Sequence, residues 1–176
     1  MLEGIISLDI STELFLNNLY NPSLYAFFKF ITGFGAIPVA VIVFACIAYY
    51  LWGNRDMALS KRLGLFFGLN YFTVFFIKWF INRPRPYSAL FLGETGASFP
   101  SGHAAASIFI YGFLIYYLSK KMTSSWKKRV VVFLLFILII LIGFSRLYLG
   151  VHFLSDVIGG YLLGALFLSL LLRSKN

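Results

Sequence analysis

What most constrains this chain is a series of apolar runs, each long enough for a helix to cross a bilayer. A helix needs about 20 mostly apolar residues to span the hydrocarbon layer. Such runs occupy residues 24–52, 57–81, 101–119, 130–149 and 152–172. Their apolar character is continuous rather than alternating, which favours helices over the strands of a membrane barrel. The composition agrees: 60% of residues are hydrophobic and only 12% are charged, against about a quarter charged in a soluble domain. The expected fold is all-α, a polytopic transmembrane helix bundle of five spans.

The breaks between the runs carry turn chemistry. Gly53-Asn54-Arg55-Asp56 is a turn, and Asn82-Arg83-Pro84-Arg85-Pro86 ends the second span because proline cannot continue a helix. Gly33, Gly35 and Pro38 fall in the first half of the first span, and Gly150-Val151 joins the last two. Ahead of the spans, Ile10, Leu14, Phe15 and Leu19 recur at helical spacing among Glu3, Asp9, Glu13, Asn17 and Asn18. This pattern predicts an amphipathic helix lying in the membrane interface, and without a basic n-region it does not read as a cleaved signal peptide. Residues 1–176 are expected to form one domain: 1–22 as the interfacial helix and 24–172 as the five-span core, with six spans if the first helix inserts.

The net charge of +9 sorts by topology. With the loop after the second span placed outside, ten of the fifteen basic residues fall on the cytoplasmic side: Arg55, Lys61, Arg62, Lys120, Lys121, Lys127, Lys128, Arg129, Arg173 and Lys175. The positive-inside rule accounts for them, so nucleic acid is not needed to explain the charge. Lys29 lies near the outer start of the first span. Lys78, Arg83, Arg85 and Arg146 remain, at outer ends of spans.

Those four cations share the outer ends with Ser101, His103, Ser145, His152 and Asp156, and the natural guest of such a cluster is a polyanion. Arg binds phosphate bidentately and Lys adds a point charge. Pro100-Ser101-Gly102-His103 reads as a helix start, whose free N–H groups attract an anion. Two histidines add chemistry: one imidazole can attack phosphorus and the other can protonate the leaving oxygen. Asp156 follows His152 by four residues, one helical turn, and can fix its tautomer. A metal site of His103, His152 and Asp156 is disfavoured by the surrounding cations. Arg83 reads equally as an interfacial anchor or a phosphate contact, and Ser145 as a capping residue. Glu94 reads as a loop charge, and Trp79, Tyr87 and Tyr148 as an aromatic belt.

Three motifs in order then carry a resemblance. Lys78 is followed after six residues by Arg85-Pro86; Pro100-Ser101-Gly102-His103 comes next; Ser145-Arg146 is followed after five residues by His152 and after three more by Asp156. Together they resemble the type 2 phosphatidic acid phosphatase family. The resemblance implies His152 as the nucleophile that forms a phosphohistidine, Asp156 as its orienting partner and His103 as general acid and then base. It implies Lys78, Arg85, Ser101, Gly102 and Arg146 as the phosphate cradle, with no metal and no cofactor. The chain departs from longer, six-span members in replacing the first span by its N-terminal helix. The expected function is a membrane lipid phosphatase acting on lipid A 1-phosphate, undecaprenyl pyrophosphate or phosphatidylglycerophosphate, with the bilayer as partner. The expected site is the periplasmic face of a bacterial inner membrane. Rival readings are a lipid phosphotransferase using the same site and a non-enzymatic anion channel or lipid-binding scaffold.

Overall fold

A computed structural model describes residues 2–123 and 126–174. Seven α-helices follow one another among these residues: α1 (Leu2–Asn18), α2 (Pro22–Gly33), α3 (Ile37–Gly53), α4 (Met57–Ile81), α5 (Gly102–Lys121), α6 (Trp126–Tyr148) and α7 (Leu154–Arg173). A short 3-10 helix (Tyr87–Leu92) lies between α4 and α5. Helices α4 to α7 are each long and apolar enough to cross a membrane, and α2 with α3 makes a fifth span bent by 43°. Helix α1 is not among them. The outward faces of α4 and α7 expose Phe72, Trp79, Phe80, Leu162 and Leu166. In water such faces would be an aggregation hazard; in lipid they are the ordinary solvent boundary. The chain is an integral membrane protein.

The first span is built of two helices that meet at the Gly33, Gly35 and Pro38 positions. Asn21 caps α2, accepting from the Ser23 and Leu24 N–H groups at 2.9 and 3.2 Å. The chain then turns at 34–36, and Pro38 enters the first turn of α3, where its missing N–H is no loss. The break serves packing: a Cβ on Gly35 would stand 2.6 Å from Ile142 Cγ2 and 3.1 Å from His103 Cδ2. Backbone therefore lies where a side chain would push His103 aside.

Helix α5 is central, packing against α3, α4, α6 and α7, and it buries Phe109 and Phe113 with Leu51, Leu63, Ile142 and Leu171. Its closest neighbour is α7. Gly160 and Gly164 face the carbonyls of Ser101 and Ala105, and a Cβ on either glycine would collide with them. This small-xxx-small spacing lets membrane helices approach backbone to backbone. It also ties the start of α5 to the start of α7. The basic ends gather at the other end of the bundle, where Arg62 Nη1 donates to Ser174 O at 2.5 Å.

Candidate active site

The start of α5 is built by Ser101. Its buried side chain accepts from Ala104 N at 3.4 Å, while its own N–H donates to Asp156 O at 2.9 Å. The preceding Phe99–Pro100 peptide is cis. On the other side, α6 ends at Tyr148, and Val151 N and His152 N both turn back onto Arg146 O in its last turn, at 3.1 and 3.3 Å. Gly150 supplies the positive φ, +62°, that this tight reversal needs. His152 therefore belongs to the turn and does not open α7, as its spacing had suggested. Its contact with Asp156 survives for another reason. Asp156 sits in the first turn of α7 and reaches back, accepting from Phe153 N at 2.9 Å and lying 3.4 Å from His152 Nδ1.

Six of the eight residues expected from the motifs line one cavity of about 230 Å³: Lys78, Arg85, Gly102, His103, Arg146 and His152. Ser101 and Asp156 lie behind its wall, each fully buried. The cavity continues between α3 and α4 along Ile37, Ala40, Phe67, Tyr71, Val74 and Phe75. It thus has a cationic end and an apolar end, the two halves of a lipid phosphate.

Two of the three cations are held by backbone oxygens, the third by side chains. Lys78 Nζ donates to Ala97 O at 2.6 Å and Ser98 O at 3.0 Å. Arg85 donates to Gly96 O at 3.1 Å and Val151 O at 2.9 Å, and its Nη1 lies 3.4 Å from His152 Nε2. Arg146 donates to Thr32 Oγ1 at 2.9 Å and to Glu94 Oε1 at 2.5 Å, leaving its buried Nε without an acceptor. Burial pushes the His152 imidazole down to about 4. Arg146, Arg85 and Lys78 act the same way, and the hydrogen bond to Asp156 opposes them. The ring is therefore neutral at pH 7. With Nδ1 turned to Asp156, its Nε2 faces the cavity side.

Four residues outside the motif set, Glu94, Arg83, Asp9 and Thr32, complete the surroundings. Glu94 is no idle loop charge: it bonds Arg146 and lies 3.5 Å from Arg85. Burial raises its pKa, but Arg146 and Arg85 outweigh that and hold the carboxyl below its usual range. Its signal was available, since it is the only acid between Asn82 and Pro100. Arg83 is not among the residues lining the cavity; it pairs with Asp156 and Asp9, both at 2.7 Å. Asp9 and Thr32 had no sequence signal, because only tertiary packing brings them in. Tyr148 also departs from the aromatic belt: it is buried, its hydroxyl donating to Leu19 O and accepting from Asn21 N. Trp79 and Tyr87 are exposed.

The chain is similar to several known proteins. The chain is 35% identical to phosphatidylglycerophosphatase B of Bacillus subtilis over 74% of its own length and 63% of the relative's. It is 28% identical to the undecaprenyl-diphosphatase BcrC of the same organism, over 80% of this chain and 69% of that one. The crystal structure of a transmembrane PAP2 type phosphatidylglycerolphosphate phosphatase from Bacillus subtilis superposes with a TM-score of 0.87 at 30% identity, covering 97% of this chain and 85% of that one. The chain spans less than two thirds of the first relative's length. Residues 59–176, which hold all three motifs, match the family model for this group, and the chain belongs to the PAP2 superfamily.

Proposed function

We propose that this protein is a membrane lipid phosphatase that works through a phosphohistidine. The observation that carries the reading is the cavity itself: two histidines and three cations at one end, apolar walls at the other. The phosphate of a lipid would enter between Lys78, Arg85 and Arg146, with the Gly102 backbone at the start of α5 as a further donor. His152 Nε2 attacks phosphorus, forming the P–N bond as the P–O bond to the leaving group breaks. Asp156 accepts from Nδ1–H and stabilises the developing imidazolium. His103 gives its proton to the leaving oxygen, then takes one from water, which attacks phosphorus and frees His152 and inorganic phosphate. The cations offset the charge on the phosphoryl oxygens throughout.

By likeness to phosphatidylglycerophosphatase B, the favoured substrate is phosphatidylglycerophosphate, presented at the outer leaflet opposite the basic loops. The test is a panel of purified lipids in detergent: phosphatidylglycerophosphate, undecaprenyl diphosphate and lipid A 1-phosphate. Release of phosphate is expected, fastest from the first. No release from any of them would sink the reading.

Two further outcomes follow from the geometry. Phosphate must take the place of the Glu94 carboxylate on Arg146 and Arg85. Glu94→Gln should therefore tighten competitive inhibition by inorganic vanadate roughly tenfold, the worth of one charge-assisted bond of about 1.5 kcal/mol. Unchanged or weaker inhibition would show that Glu94 helps to seat the anion. The pH dependence has a definite sign. Protonating His152 removes its attacking lone pair, so activity falls as pH drops through its folded value of about 4. The acid limb of kcat/KM, corrected for substrate ionisation, should lie well below the value of about 6.5 for a free imidazole.

A further inference from the structure

Asp9 is only 2% exposed, although its neighbours Leu8 and Ile10 on α1 are 54% and 48% exposed. A carboxylate is buried this deeply only when its oxygens are satisfied. Oδ1 accepts from Ser155 N at 2.9 Å, and Oδ2 accepts from Ser155 Oγ at 2.6 Å and from Arg83 Nη2 at 2.7 Å. The other arm of Arg83, Nη1, donates to Asp156 Oδ1 at 2.7 Å. Asp156 Oδ2 faces Phe153 N and His152 Nδ1. A continuous path thus runs from Asp9 through Arg83 and Asp156 to His152.

Each link restrains the next. Both oxygens of Asp156 are engaged, one by Arg83 and one by the turn, which fixes the plane of the carboxylate against the imidazole. Arg83 in turn is held at four points: Asp9, Asp156, Ser155 Oγ at 2.6 Å and the face of Phe153, whose ring centre lies 4.4 Å from the guanidinium carbon. Helix α7 also starts with an apolar residue, Phe153, at its cap. A phenyl ring cannot accept from the free N–H groups of the first turn. Asp9 supplies that acceptor for Ser155 N from another helix. Its negative charge also suits the positive end of α7.

We propose that Asp9 is a positioning residue: through Arg83 and the first turn of α7, it holds the Asp156 carboxylate and the His152 ring in the orientation for attack on phosphorus. Helix α1 thereby becomes part of the machinery and not only a membrane-surface element. Asp9 lies outside residues 59–176, the part matched by the superfamily. The inference rests on the phosphatase reading of the site.

The test uses the full chain with isotope-labelled histidine. Only two histidines are present, so the imidazole resonances are assigned by substituting one of them. Asp9→Asn keeps size and shape, Asp9→Ala removes the acceptors, and Asp9→Glu keeps the charge. With phosphatidylglycerophosphate in micelles, Asp9→Asn and Asp9→Ala should lower kcat about 10- to 100-fold, as loss of an outer-shell partner does elsewhere, with KM little changed. Asp9→Glu should recover part of the loss. The His152 ring signals should move in Asp9→Asn while those of His103 stay, a change that general destabilisation does not produce. If folded Asp9→Asn keeps both the wild-type kcat and the wild-type His152 signals, the proposal fails. A wild-type protein that releases no phosphate would instead overturn the phosphatase reading, and the His152 signals would still decide the role of Asp9.

Discussion

Replacing His152 by Ala is expected to lower kcat on a lipid phosphate by at least about 10⁴-fold, down to what binding and charge stabilisation supply alone. Three features of the site set this size. His152 Nε2 is the ring nitrogen turned away from Asp156, beside Arg85. The ring is already neutral at pH 7, so no proton need leave before attack. The cradle of Lys78, Arg85 and Arg146 does not depend on His152, because its cations are held mainly by backbone oxygens, Thr32 and Glu94. The variant should therefore still bind vanadate, with KM for lipid little affected. Phosphate release by His152→Ala within about a hundredfold of wild type would mean that water attacks phosphorus directly.

His103→Ala carries the second large effect, and its size should depend on the leaving group. A positioned general acid contributes about 10²–10⁴-fold when the departing oxygen is a poor leaving group. A lipid alkoxide is one. A p-nitrophenolate leaves without a proton, so the first step with p-nitrophenyl phosphate should be nearly unharmed. The second step still needs a base for water, and the phosphoenzyme should accumulate after a burst of nitrophenol. His103 is placed within reach of both tasks. It lies in the first turn of α5 and lines the same cavity wall as Arg146 and His152. It also packs against the bend of the first span at Gly35, which limits its motion. Equal losses with both substrates and no burst would contradict this role.

The spans were legible because lipid leaves few options: backbone polar groups must be satisfied within a helix, and that requires long apolar runs. The motif residues were legible for a related reason. Charges at the ends of such runs are costly enough to stand out, and three of those cations, Lys78, Arg85 and Arg146, do meet both histidines in one cavity. Local geometry was harder. The spacing of His152 and Asp156 suggested one helical turn, whereas the contact arises from a carboxylate reaching back across the start of α7. Gly33, Gly35 and Pro38 marked the first span as unusual, but not that it bends by 43° with Gly35 set against His103. Asp9 was hidden altogether. Its place among polar residues on α1 gave no hint that it would be buried against Arg83 and Ser155.

The most direct measurement is to trap the covalent intermediate. The protein is mixed with a lipid carrying radiolabelled phosphate and quenched in alkaline detergent, since a phosphohistidine survives base and not acid. The His103→Ala variant is treated in parallel with radiolabelled p-nitrophenyl phosphate, whose leaving group needs no proton, so that only release of the phosphate is slowed. Label is expected on the peptide containing His152, more of it in His103→Ala, and none in His152→Ala. Turnover with no protein-bound label in the wild type or in His103→Ala, or label on a residue other than His152, would contradict the mechanism.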